Sequence, residues 1–371
     1  MVRLRSLLIA LAVLVFLVGG TLITPSDAQG NLAPYRTRNQ HLGVSGGNVN
    51  DRTKSFCCSG TLGALVTDGT TQYILSNNHV LGRSNGAVAG EDISQPGMID
   101  ANCAVTTVVA DFTAFSPLGS NVDAAIAQLR PGQMDSTGFI EGLGVPASAV
   151  LAPSVGLAVT KSGRTTGTTT GTISSINTSV SVQYQQNCGS GKKTTISYTN
   201  QVVINSSTFS AGGDSGSLIV SSSGRNPVAL LFAGSSTSTI GNPAGLVLTR
   251  LGTQIGRTLS FVGTGGNGPT SQNGKAAQLG MEPIVRGFGG LMPQLPPQAA
   301  DRASAVLENY RANLMATPGV VGAGVGSASD NDLEPAIVIY VDRTSPNRPV
   351  FAPALDGIAV RIVHTDPFVA F

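Results

Sequence analysis

The chain has 371 residues, of which 41% are hydrophobic and 11% charged, with 47 glycines. That is apolar enough for two or three compact units and too sparsely charged for a disordered chain. The formal charge of +2 comes without a Lys/Arg cluster beyond single pairs, which argues against a nucleic-acid partner.

The first element reads as an export signal. Arg3 and Arg5 form a basic start, Leu7 to Val18 an apolar stretch, and Ser26-Asp27-Ala28 a small-residue cleavage site. Cleavage is expected after Ala28, giving a signal peptide over 1–28 and a secreted or extracytoplasmic protein. An uncleaved anchor is the alternative, because the apolar stretch extends towards Ile23. No other segment has the length and apolarity of a membrane span, so no stable membrane insertion is expected after cleavage.

From Leu42 to Val262 the pattern is strand, turn, strand. Strands are predicted over 61–66, 73–75, 105–109, 124–129, 156–159, 172–176, 201–204, 217–220 and 228–233. Turn signals such as Asp68-Gly69, Asn85-Gly86 and Ser223-Gly224 separate them. No stretch here sustains a helical period for three turns. Regularly spaced short strands point to a barrel or sandwich. The Gly/Pro/Ser-containing stretch 142–154 suits a connection between two halves. Residues 263–297 are rich in Gly and Pro and read as a linker. Over 298–315, Ala303, Leu307, Tyr310 and Leu314 recur at helical spacing, followed by strand-like runs at 320–325, 336–341 and 358–363. Residues 298–371 are therefore expected to form a small α+β domain. The spacing Gly322-x-Gly324-x-Gly326 lacks the following helix of a nucleotide loop.

The four cysteines are Cys57, Cys58, Cys103 and Cys188. Export makes disulfides reasonable, and sequence alone leaves all pairings open. A bond between neighbours Cys57 and Cys58 would strain the intervening peptide, which favours Cys103 and Cys188 each taking one of them. The spacings lack the C-x2-C pair of a zinc site.

The chemistry-bearing segment is Ala211-Gly212-Gly213-Asp214-Ser215-Gly216-Ser217, set before the apolar Leu218-Ile219-Val220. Acyl transfer to a serine needs a base, a carboxylate to orient it and backbone N–H groups for the oxyanion. Glycines around Ser215 permit a sharp turn in which the N–H groups of Gly213 and Ser215 point at one oxygen. Among His41, His79 and His364, His79 is the candidate base, at the end of an apolar strand in Ser76-Asn77-Asn78-His79-Val80. Asp123, before the apolar Ala124-Ala125-Ile126-Ala127, is the candidate orienting acid, and Asp111 is its rival.

The order His79, Asp123, Ser215, with Asn-Asn-His-Val and Gly-Asp-Ser-Gly-Ser, resembles bacterial trypsin-like (chymotrypsin-fold) serine peptidases over about residues 40–262. Lys161-Ser162-Gly163-Arg164-Thr165-Thr166-Gly167 and Leu231-Phe232-Ala233-Gly234-Ser235-Ser236 are similar to further segments of such peptidases. The resemblance implies a mainly β fold, a double β-barrel with an N-terminal arm and first barrel over 29–150 and a second barrel over 151–262. It implies a pocket lined by Phe209, Gly234 and Ser235. Phe209 stands where relatives that cleave after Lys or Arg carry an acid, so an uncharged residue is expected at the cleaved position. The alternative for Phe209 is a core aromatic. Two departures stand out: Ser217 replaces a frequent second glycine, and Asn77-Asn78 replace frequent alanines. Asp214 is expected to be held by internal donors or by a freed N-terminus. The small α+β domain resembles modules attached to some bacterial peptidases, docked on the protease unit as an aid, a restraint or a stabilising appendage.

These readings combine into a secreted serine endopeptidase acting on a protein or peptide substrate through an acyl-enzyme, with no metal or organic cofactor. Two alternatives remain: a catalytically inactive binding protein on the same fold, and an esterase using the same serine. The α/β-hydrolase form of the esterase requires a helix directly after Ser215 and a base such as His364.

Overall fold

A computed structural model describes residues 32–265, 294–330 and 333–371. The expected signal peptide and most of the expected linker lie outside the described residues. Within them the fold is mainly β, two rolled sheets followed by a small α+β segment, as the sequence reading expected.

The first sheet has eight strands. Val44–Asn48 pairs with Gly60–Leu62 and Asp92–Gln95, and Thr107–Ser116 continues to Ala124–Leu129, Gln72–Ser76, Ala64–Thr67 and Ser260–Phe261. Gly60–Leu62 and Ala64–Thr67 are separated by Gly63 alone yet lie near opposite edges of the strand order. The chain bends there and the sheet rolls up on itself. Leu62, Leu65, Ile74, Leu75, Ile93, Val109, Phe112 and Ile126 are all buried in the core cluster built on its two faces.

The second sheet has twelve strands. Ala158–Gly163, Gly167–Thr172, Leu218–Ser221, Pro227–Gly234 and Ser238–Pro243 surround Val159, Ile173, Ile204, Phe209, Ile219 and Leu231. A long hairpin, Ser175–Asn187 and Ser190–Asn205, extends from this body. Its outer strand pairs antiparallel with Val320–Ser327, which passes the sheet on to Pro335–Asp342, Ile358–Thr365 and Ala354–Leu355. The helix Pro297–Ala316 covers this extension with Ala303, Leu307 and Leu314 against Val325, Ile337 and Ile339. The glycines at 322, 324 and 326 fall on a strand. A Cβ on Gly324 would sit 2.2 Å from Thr178 Oγ1, so the spacing reflects close approach to the hairpin.

Two sequence expectations are corrected. Ala244–Ile255 is a three-turn helix inside the region read as lacking one. Ala244, Val247 and Leu251 bury one face, but Gly245, Thr249 and Gly252 dilute the period, and Gly256 ends the helix in the left-handed conformation (φ 63°). The hairpin 175–205 is much longer than the short strands predicted there: Val180, Val182 and Tyr184 alternate onto a buried face, but the exposed polar stretch around its tip carries no apolar run.

The disulfides are Cys57–Cys103 and Cys58–Cys188. The second ties a first-barrel loop to the hairpin tip. No helix among the described residues is long and apolar enough to cross a membrane.

Candidate active site

Strand Gln72–Ser76 runs into a one-turn helix, Asn78–Leu81, which carries His79. Asp123 immediately precedes strand Ala124–Leu129, the hydrogen-bonded neighbour of Gln72–Ser76. Strand pairing thus fixes the two side chains against each other. Nδ1 of His79 lies 2.6 Å from Asp123 Oδ2, and the His79 backbone N–H donates to Asp123 Oδ1 at 3.2 Å. Asp123 is fully buried and the His79 side chain 11% exposed. The Asn77 amide donates to the Asp123 carbonyl at 2.7 Å, and Asn78 donates to Ser116 O and Asn85 Oδ1. The two asparagines that depart from the peptidase pattern therefore brace the loop under the histidine.

Asp123 has a further partner that sequence reasoning missed. The Tyr184 hydroxyl, from the long hairpin, donates to Asp123 Oδ2 at 2.8 Å and shares a 2.7 Å hydrogen bond with Tyr198. Both tyrosines are buried, and burial together with the nearby Asp123 charge raises their pKa values well above the ordinary phenol range. They act as neutral donors. The sequence signal was the alternation Val180-Ser181-Val182-Gln183-Tyr184, which puts Tyr184 on the buried face of a strand.

Ser215 lies in the turn between Phe209 and Leu218. Gly213 and Gly216 flank it with φ of +98° and +95°, a region that L side chains rarely adopt. A Cβ on Gly216 would sit 2.2 Å from Thr61 O. That close approach docks the turn on the first barrel, where Thr61 N–H donates to Ser215 O and Thr61 Oγ1 to Gly213 O. Asp214 points the other way, fully buried. It accepts from Thr165 N, Thr166 N, Thr166 Oγ1 and Ala211 N, and faces Lys161 Nζ at 3.3 Å. Burial lowers the Lys161 pKa, opposed by the Asp214 charge. Asp214 is therefore held by internal donors, with a lysine that sequence reasoning had not paired with it. Ser217 Oγ donates to Asp214 O at 2.7 Å and closes the turn.

Residues 368–371 cross this site. Strand Phe368–Ala370 pairs antiparallel with Pro227–Gly234, through Ala233↔Ala370 and Gly234↔Val369, and parallel with Ser175–Asn187. Phe371 N–H donates to Phe232 O at 3.4 Å, and its carbonyl oxygen lies 3.0 Å from His79 Nε2. Ser215 Oγ donates to the same Phe232 carbonyl at 3.2 Å rather than to His79. Among the described residues, the N–H groups of Gly213 and Ser215 have no protein partner. A cleft of about 430 Å³ opens beside Phe371, lined by Asp51, Cys58, His79, Arg83 and Tyr184 among others.

Burial alone would lower the His79 pKa. The Asp123 charge and hydrogen bond, the Phe371 carbonyl and the Asp51 charge outweigh it, and the net direction is upward. Asp51 itself is pushed up to about 6 by burial and by Glu91, against the pull of His79 and Arg83.

The other expected residues fall as follows. Phe209 is fully buried in the second-barrel core, in the cluster against which Phe371 packs. Gly234 lies directly under the Phe371 ring. Ser235 faces Thr365, with 2.7 Å between hydroxyls. Asp111, the rival acid, is ion-paired with Arg130 at 2.6 Å and touches no histidine. His41 pairs with Glu141. His364 is exposed on strand Ile358–Thr365. Ser215 is followed by a strand, Leu218–Ser221, where an α/β-hydrolase needs a helix.

No protein-family model matches the chain, and no curated protein does. Among solved structures, it is similar to a glutamic-acid-specific serine protease at 24% identity, over 59% of this chain and 98% of that one, with a TM-score of 0.41. It is also similar to a Nocardiopsis protease at 17% identity, over 60% and 98%, with a TM-score of 0.41. A third is Thermobifida fusca protease A at 17%, over 61% and 99%, with a TM-score of 0.41. These are likenesses of fold.

Proposed function

We propose that the chain is an exported serine endopeptidase in which Ser215 is the nucleophile, His79 the base and Asp123 the group that orients it. One observation carries this reading. The His79 ring bridges a buried carboxylate at Nδ1 and the main-chain oxygen of Phe371 at Nε2, beside a Gly-Asp-Ser-Gly turn whose Gly213 and Ser215 N–H groups have no partner among the described residues. In the reaction, His79 Nε2 takes the Ser215 hydroxyl proton as Oγ bonds to the substrate carbonyl carbon. Asp123, held by Tyr184, fixes the Nδ1–H tautomer and stabilises the imidazolium. Gly213 and Ser215 N–H groups receive the oxyanion. The C–N bond then breaks as His79 protonates the leaving amine, and water, deprotonated by His79, releases the acyl group. The disulfides accord with export.

The test is labelling of the full chain with a fluorophosphonate probe and cleavage of a peptide library. Ser215→Ala and His79→Ala are expected to lose labelling and on the order of 10⁴-fold or more in kcat/KM. His364→Ala is expected to lose neither. Labelling that survives Ser215→Ala, or activity lost only in His364→Ala, refutes the assignment. An inactive peptidase-fold protein would neither label nor cleave.

A further inference from the structure

We propose that residues 368–371 occupy the acyl side of the cleft as a substrate-like strand. The site then takes peptides with an aromatic residue before the cleaved bond, and the chain's own strand competes for it. This rests on reading Ser215 as a peptidase nucleophile.

The argument starts from backbone geometry. A peptide that adds to a sheet edge is fixed in register by main-chain hydrogen bonds, and alternate side chains then fall into fixed pockets. The pairing Gly234↔Val369, Ala233↔Ala370 and Phe371 N–H to Phe232 O sets such a register. It brings the Phe371 carbonyl group to His79 Nε2 and its N–H to the very carbonyl that Ser215 Oγ contacts. Phe371 therefore stands where the residue supplying the acyl group stands. On its other side the strand is held by Val182 and Gln183, so it is clamped between two strands.

The pocket follows from that register. The Phe371 ring lies over Gly234, with Cζ 2.5 Å and Cε2 2.9 Å from where a Cβ on Gly234 would be. Any side chain there would fill the space the ring uses. The ring also packs on the second-barrel core cluster that contains Phe209. The surroundings given by Gly234 and this apolar cluster suit an uncharged side chain, and the space accepts a full phenyl group. Two positions upstream, Val369 is 36% exposed, while Phe368 is fully buried against Tyr340, Val182 and Phe232. The strand thus presents two aromatic anchors, Phe371 partly buried in the pocket and Phe368 fully buried on the hairpin side.

Intramolecular competition is a consequence. A tethered strand acts at an effective concentration in the millimolar range, so it excludes weak external peptides while it is seated.

The experiment uses the full chain carrying Phe368→Gly and Phe371→Gly, which removes both aromatic anchors so that an external peptide can displace the tethered strand, in Ser215-intact and Ser215→Ala forms. Binding of acetyl-Phe-Val-Ala-X, with X as Phe, Ala, Lys or Glu, is measured on the Ser215→Ala form. The X = Phe peptide is expected to bind about 100-fold more tightly than X = Ala, with Lys and Glu weaker still. Adding Gly234→Val is expected to erase the advantage of Phe over Ala. Equal binding of all four, tighter binding of Lys or Glu, or no binding overturns the proposal. Cleavage is scored separately on the Ser215-intact forms with the matching peptide amides. The Phe368→Gly/Phe371→Gly chain is expected to cleave the X = Phe amide about tenfold or more faster than the unmodified chain. Equal rates in those two chains overturn the competition. Selective binding with no cleavage refutes the peptidase reading and leaves the pocket standing. Cleavage without selectivity does the reverse.

Discussion

Lys161→Met is the perturbation that best isolates what holds the nucleophile turn. Lys161 and Asp214 face each other at 3.3 Å with neither side chain exposed. Methionine keeps most of the apolar stem and volume, so the change is mainly one of charge and donors. Lost with the ammonium are its bonds to Thr166 Oγ1 and Gly167 O. Removing one partner of a buried pair costs about 3–5 kcal/mol. Asp214 keeps its donors from Thr165, Thr166 and Ala211, which places the expected loss near the lower end, about 3 kcal/mol. For a chain of this size, at about 2.1 cal/mol/K of unfolding entropy per residue, that corresponds to a fall of roughly 4 °C in Tm. Because Asp214 adjoins Ser215, fluorophosphonate labelling at 25 °C is expected to slow as well. Calorimetry on the full chain and a labelling time course are the assays. Lys161→Met/Asp214→Asn is expected to recover part of the loss, since no uncompensated charge remains. A single variant that melts within about 1 °C of the unmodified chain and labels at the same rate refutes the reasoning.

Three further outcomes follow from the same geometry. Tyr184→Phe removes a hydrogen bond to a buried carboxylate and is expected to cost about 1.5–3 kcal/mol of stability. With one competing donor gone, Asp123 interacts more strongly with the imidazole, so the acid limb of the kcat/KM profile is expected to move to higher pH; an unmoved limb assigns Tyr184 a purely structural role. Asp51→Asn removes a charge that raises the His79 pKa, so His79 is expected to lose its proton at lower pH and the acid limb to move down. The native Asp51 carboxyl is pushed up to about 6. Its contribution to stability is therefore full below its unfolded pKa and is lost as pH rises through 6, so Asp51→Asn is expected to stabilise the protein above that pH. Urea melts at pH 5 and pH 8 check this sign. Cys58→Ser opens a bond spanning 130 residues and is expected to cost about 3–5 kcal/mol, read as a lower urea midpoint.

Much of the site was legible because its chemistry is local in sequence. Gly213 to Ser217 forms the turn its glycines demand, and His79 and Asp123 each sit at the end of an apolar strand, where strand pairing joins them. The small α+β segment was legible for a similar reason: Ala303, Leu307 and Leu314 repeat at helical spacing and do face its core. The role of Tyr184 was not legible: the alternation Val180-Ser181-Val182-Gln183-Tyr184 marks a strand face, but the hydroxyl meets Asp123 only after a hairpin folds over the first barrel. The Lys161–Asp214 pair was hidden likewise, since a lysine between Thr160 and Ser162 gives no hint of full burial. The substrate-like seating of Phe368 to Phe371 depends on contacts almost 300 residues distant in sequence, which no local pattern reports.

One strand joins these features. Ser175–Asn187 supplies Tyr184 to Asp123, borders Phe368–Ala370, and pairs with Val320–Ser327. Its end is strapped to the first barrel through Cys188 and Cys58. A sheet edge shifts register in whole-residue steps that turn every side chain to the other face, so this strand has little freedom to adjust in part. Withdrawing 320–327 would free one edge of the strand that positions the donor to Asp123. The segment that carries residues 368–371 into the cleft and the hairpin that braces the carboxylate are thereby coupled through main-chain hydrogen bonds, independently of any contact at Ser215.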